Sequence, residues 1–139
     1  MDETPVQEWL ASMLVETGAI AGTVHWHQEG GLRLAASVNI PPPVQQAVAW
    51  VPRGKGMAGL ALERNQPVQT CNLREDQTGA IKPGAKAVDA RAAVALPVAG
   101  GDGSIRAVVG IAFADEREIA GEELERLQGA AATLPASHG

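Results

Sequence analysis

The sequence has 139 residues, of which 45% are hydrophobic but only 3% aromatic, and a formal charge of −5 with a pI near 5.1. That length suits one domain with a real core, which must be built mainly from alanine, valine and leucine. The acidic balance and the scattering of the 11 Lys and Arg leave no basic face of the kind nucleic-acid phosphates require.

One cysteine, Cys71, excludes an intramolecular disulfide and a thiolate-rich metal site, and fits a reducing compartment. The opening MDETPVQEW is acidic, without the basic start and apolar run of a signal peptide. No apolar stretch approaches the roughly 18 residues that would span a bilayer. The expectation is a soluble, cytoplasmic protein.

Thr4-Pro5 begins a helix over about 4–17. Threonine can cap it, proline suits the first helical position, and Gln7 would complete a capping box. Val6, Trp9, Leu10, Met13 and Leu14 recur at the spacing of one apolar stripe, and Gly18 ends the helix. Ala21 to Gln28 alternates as a strand, with Val24 and Trp26 on one face and His25 and His27 on the other. Glu29-Gly30-Gly31 turns the chain, and Leu32 to Asn39 returns as a strand that places Leu32, Leu34, Ala36 and Val38 on one face. Pro41-Pro42-Pro43 blocks a regular continuation, and Val44 to Trp50 predicts a short helix.

Val51 to Thr70 follows, VPRGKGMAGLALERNQPVQT. It reads as a Pro-flanked turn through Gly54 and Gly56, a short helix carrying Met57, Leu60, Ala61 and Leu62, and an Arg64-Asn65 stop. Pro67 then leads into a strand over Val68 to Cys71. Asparagine tolerates the left-handed conformation at a helix end. Asn72 to Arg91, with Gly79, Pro83 and Gly84 inside it, is the least patterned region. A loop of about twenty residues in a compact domain is usually functional or mobile; a helical turn fits 84–90. Ala92 to Ala99 and Ser104 to Ala114 form a second hairpin about Gly100–Gly103, in which Pro97 predicts proximity to an edge or a bulge. A last helix runs over about 121–134, with Leu124, Leu127, Ala131 and Leu134 recurring on it, and Pro135 stops it.

This order predicts an α+β domain spanning 1–139 with its core over about 19–115. Two hairpins and a further strand form an antiparallel sheet, the terminal helices cover one face, and the short helices and the long loop cover the other. A cleft can form between them, with Val24, Ala93, Ala95, Ile111 and Phe113 as expected walls. Such a pocket would favour a small apolar or aromatic ligand held by few polar groups.

The run Pro52, Gly54, Gly56, Gly59, Ala61, Pro67 and Val68 resembles the central signature of GAF domains, and the two hairpins fall in that family's order. The resemblance covers Ala19 to Leu134. It implies a profilin-like sheet of five to six strands in the order 2-1-5-4-3 and a small-molecule pocket under the long loop. It also implies a sensory or signal-transducing role and homodimer pairing through the terminal helices. Ligand-binding candidates on this reading are Val24, Trp50, Met57, Cys71, Asn72, Asp76, Arg91, Ala93, Phe113 and Asp115, with Lys82 also in the loop. Neither the ligand nor any cofactor is identified by the pattern.

Catalytic alternatives are weaker. Arg53-Gly54-Lys55-Gly56 lacks the spacing and the hydroxyl residue of a phosphate loop. His25 and His27 share a strand face, but no third metal ligand is evident. Bilin-carrying GAF domains place a Cys-His dipeptide in the loop, whereas Cys71 precedes Asn72. The chain is similar in length and central motif to free methionine-(R)-sulfoxide reductases. Their chemistry needs an attacking and a resolving cysteine. The matching positions fall at Ala58 and near Lys86, and of the expected acids at Ala93, Phe113 and Asp115 only Asp115 is acidic. The residues typical of cyclic-nucleotide GAF domains are absent as a set, although Asn72 and Asp76 are present. A non-catalytic binding module is therefore expected, with an interaction or dimerisation module as the alternative.

Overall fold

The structure, a computed structural model, describes residues 4–70, 92–115, 119 and 121–135. In chain order the elements are α1 (Thr4–Thr17), β1 (Ala21–Gln28), β2 (Gly31–Val38), α2 (Pro42–Ala47), β3 (Trp50–Pro52), α3 (Gly56–Arg64), β4 (Val68–Thr70), β5 (Ala92–Ala99), β6 (Ile105–Phe113) and α4 (Gly121–Ala131). The six strands form one antiparallel sheet in the order β3-β2-β1-β6-β5-β4. The expected five-strand order appears within it, extended by β3 beside β2. Residues 50–52 were expected to end a helix and begin a turn. They pair instead with Arg33, Leu32 and Gly31, and the helix stops at Ala47.

Strand alternation sorts the side chains into two layers. On one face Val24, Trp26, Val94, Leu96, Ala107, Val109, Ile111 and Phe113 meet Val6, Leu10, Met13 and Leu14 of α1 and Leu127 and Ala131 of α4. Gly22 allows this closeness, because a Cβ there would lie about 3 Å from both Leu14 and Leu10. On the other face Leu32, Val51, Val68, Ala95, Ile105 and Val108 meet Ala61 and Leu62 of α3.

Two sequence expectations shift here. In β2, Val24 of β1 stands opposite Ala36 while His25 stands opposite Leu34, so Ala35 is an extra, bulged residue. The bulge reverses the strand's parity. Leu32 joins the α3 layer, whereas Ala36 and Val38 join the terminal-helix layer, so the four residues do not share a face. Gln7 does not spend its side chain on the cap of its own helix: its amide donates to the Ser37 carbonyl and its oxygen accepts from the Ser37 N–H, at 3.3 Å, tying α1 to β2. Pro97 costs no ladder bond on its outer side, because β4 ends opposite Ala95.

Residues 133–135, just after α4, are tied down by polar contacts. Trp9 Nε1 donates to Thr133 Oγ1 at 2.9 Å, and the Arg106 guanidinium donates to the carbonyls of Leu134 and Pro135 at 2.7 and 3.2 Å. No helix among the described residues is long and apolar enough to cross a membrane.

Candidate functional site

The α3 side of the sheet is where the short helices lie. Its position is set by a turn in which Gly54 adopts φ 83° and donates to the Gly59 carbonyl at 2.8 Å, while Lys55 donates to Pro52 at 3.1 Å. Gly59 closes the arrangement. A Cβ there would sit 2.5 Å from the Pro52 carbonyl oxygen, so only glycine lets the helix press against the turn. At its other end Asn65, at φ 53° and ψ 44°, forms the left-handed cap that the sequence suggested.

Under this roof the sheet presents rows of side chains. One row reads Val68, Ala95, Gly110, Thr23 and Ser37; its neighbours are Ala93 with Ala112 and Ala21, and Pro97 with Val108, His25 and Leu34. α3 lies over the larger residues, Leu32, Val51, Ile105 and Val108. The small ones form a shallower floor on which Thr23, Ala93, Gly110 and Ala112 remain only half-buried. The Thr23 hydroxyl lies beside Gly110, 3.0 Å from where a Cβ would be. Thr23 can donate and accept, whereas the neighbouring alanines offer only apolar surface.

His25 is the one buried polar residue among the described core, at 2% exposure. Its Nε2 lies 2.8 Å from the Val48 carbonyl. A carbonyl only accepts, so that nitrogen carries the proton and His25 anchors the chain just beyond α2. The exposed His27 uses Nδ1 in the same way, 2.9 Å from the Ile105 carbonyl. Those two nitrogens therefore cannot act as metal ligands while these bonds stand. Among the described residues no group of three His, Cys, Asp or Glu is placed to hold a metal ion.

The candidates named from sequence separate by parity. Ala93 belongs to the floor, with Ala95 fully buried beside it, and Met57 lies in the first turn of α3 against the same cluster. Val24 and Phe113, and the expected wall residue Ile111, are corrected. All three point into the terminal-helix core, because within each strand they alternate with the floor residues, Val24 with Thr23 and Ile111 and Phe113 with Gly110 and Ala112. Trp50 is also displaced. It lies opposite Arg33, on the face away from Leu32 and Val51, with its indole against Gly31 and 45% of its surface exposed. Asp115 is exposed past the end of β6. Cys71, Asn72, Asp76, Lys82 and Arg91 lie outside the described residues. Sequence reasoning missed Thr23, Gly110 and Ala112. The parity of Trp26 and Val24, followed across the register, could have found them.

Of the apolar stripes expected to support pairing, Trp9 and Leu124 are only partly buried and the rest pack into the terminal-helix core. Val6, Leu10, Met13, Leu14, Leu127, Ala131 and Leu134 are all buried against the sheet. The large apolar residue that α1 leaves outward is Val15, 84% exposed.

Solved structures share this architecture. The type II free methionine-R-sulfoxide reductase from Thermoplasma acidophilum superposes with a TM-score of 0.72 at 17% identity, covering 92% of this chain and 87% of that one. The nlh2 GAF domain of A. aeolicus in an inactive state gives 0.67 at 21% identity, covering 96% and 79%. The NreA protein of Staphylococcus aureus, mutated in its nitrate binding site, gives 0.70 at 15% identity, covering 96% and 99%. No curated protein matches the sequence. At these identities the likeness is one of fold. The family pattern for the GAF domain, however, matches residues 6–134, nearly every element above, and the chain belongs to the GAF domain family.

Proposed function

We propose that this domain is a non-catalytic regulatory module that binds a small molecule on the α3 side of its sheet. The observation that carries the reading is the asymmetry of the two faces. The terminal-helix face is filled to the centre by large side chains, whereas the other face has a half-buried floor of Thr23, Ala93, Gly110 and Ala112. Small residues there leave room above the sheet, and the Thr23 hydroxyl is a polar point for orientation, the composition typical of small-ligand sites. A sensory role fits the family's regulatory character, and solved domains of this fold include one from a putative two-component sensor histidine kinase of Sinorhizobium meliloti.

Thermal-shift and native mass spectrometry screens against nucleotides, amino acids, heterocycles and small anions including nitrate test this reading. A saturable shift that Ala112→Leu removes supports it. A clean negative across the panel, with the floor shown filled by the protein's own side chains, defeats it. The reductase reading is tested separately with free methionine-R-sulfoxide and a dithiol reductant. The positions that match the reductases' attacking and resolving cysteines are Ala58 and near Lys86, so no thiol stands where their cycle begins, and the dithiol has no sulfenic acid there to reduce; the expected result is no turnover above the reductant alone.

A further inference from the structure

β4 is a three-residue strand at the edge of the sheet, and its side chains reach into both layers of the molecule. Val68 points to the α3 side, where it packs with Ala61, Leu62 and Ala95. Gln69 stands opposite Val94, a residue of the terminal-helix core, and so points the other way. Its carboxamide grips the main chain of Ile119 with both ends: Nε2 donates to the Ile119 carbonyl, and Oε1 accepts from the Ile119 N–H at 2.8 Å. Ile119 is fully buried in the same cluster as Leu127, Ala131 and Leu134, and stands two residues ahead of α4.

A side-chain amide has the same donor and acceptor as a peptide group. Gln69 therefore acts as a one-residue extension of the sheet, holding the approach to α4 as a further strand would. We propose that Gln69 is a positioning residue that couples the α3 face to the C-terminal helix, with β4 as the lever between them. If β4 shifts when the α3 face is repacked, the carboxamide must follow, and with it the backbone that leads into α4. The helix itself has a modest hold, since only Leu127 and Ala131 of its residues are fully buried. The regulatory meaning of this coupling rests on the ligand reading above, but the coupling itself can be measured without a ligand.

The experiment is hydrogen–deuterium exchange on the whole chain as wild type, Gln69→Met, Val68→Ala and the double variant. Methionine keeps the length and removes both hydrogen bonds. Gln69→Met is expected to accelerate exchange in the peptide covering 121–131 by roughly tenfold, with the 4–17 peptide of α1 unchanged. Val68→Ala, a cavity on the α3 side, should accelerate the 121–131 peptide when Gln69 is present and add nothing when it is replaced. The proposal is overturned if α4 exchange ignores Gln69→Met, if Val68→Ala acts equally in both backgrounds, or if α1 loosens as much as α4. Because no compound is added, failure to find a ligand leaves this result standing, and failure here leaves the ligand screen untouched.

Discussion

Gly31 shows how one missing side chain can fix the conformation of its neighbours. A Cβ there would lie 2.5 Å from Trp50 Cζ2 and 2.7 Å from the Val51 carbonyl oxygen. The indole can swing away, being partly exposed, but the carbonyl belongs to the paired strand β3 and cannot. Gly31→Ala is thus expected to lower unfolding stability by about 1–3 kcal/mol, measured by urea denaturation, with a change in Trp fluorescence as the ring is dislodged. Asp102 presents a gentler case in the turn before β6. Its carboxylate accepts from Ser104 Oγ at 2.7 Å and from the Ser104 N–H at 3.0 Å, and these bonds hold its carboxyl below the ordinary 3.8. A depressed value in the fold means that the contribution is complete above 3.8 and disappears as the pH falls through the lower folded value. The Ser104 amide should therefore shift in an NMR titration with its midpoint below 3.8, and Asp102→Ala should abolish that titration step.

Among the elements, α1 separates burial from composition most clearly. Leu10 and Val15 are both aliphatic residues of one helix, yet Leu10 is sealed against Gly22 and the sheet while Val15 faces outward. Leu10→Ala is expected to cost about 2–5 kcal/mol, whereas Val15→Lys should stay within about 0.5 kcal/mol; denaturant midpoints read both. This helix was legible because its stripe, Val6 to Leu14, repeats over about two and a half turns and its ends carry Pro5 and Gly18. The hairpins were legible because alternation and turn glycines coincide. The bulge at Ala35 was not, since alternation on either side of one inserted residue looks continuous in sequence when the strand is rich in alanine. Nor was β3, whose three residues have no periodicity to detect and are strand only because Gly31–Arg33 are there to pair with. The same limit applies to Gln7, which the local pattern assigned to a capping box but which the fold joins to Ser37, thirty residues away.

For the molecule as a whole, the sheet is a partition between a layer that stabilises and a layer proposed to bind. The site was only half legible for that reason. Residue types suited to a cleft could be picked out, but their assignment to a face depends on register between strands far apart in sequence, and Val24, Ile111 and Phe113 fell on the wrong side. The partition predicts opposite outcomes for adjacent residues of β6. Ile111 stands between Gly22 and Val94, toward the terminal helices, and is fully buried there. Ile111→Ala should cost about 2–5 kcal/mol, read as a lowered denaturant midpoint. Ala112 stands between Ala21 and Ala93 on the other face and is half-buried. Ala112→Leu adds volume where the floor is open, so unfolding should change by less than about 1 kcal/mol while any compound that stabilises the wild type loses its effect. If instead Ala112→Leu destabilises the chain as overpacking does, by about 1–3 kcal/mol, that face is already full and the space proposed for a ligand does not exist.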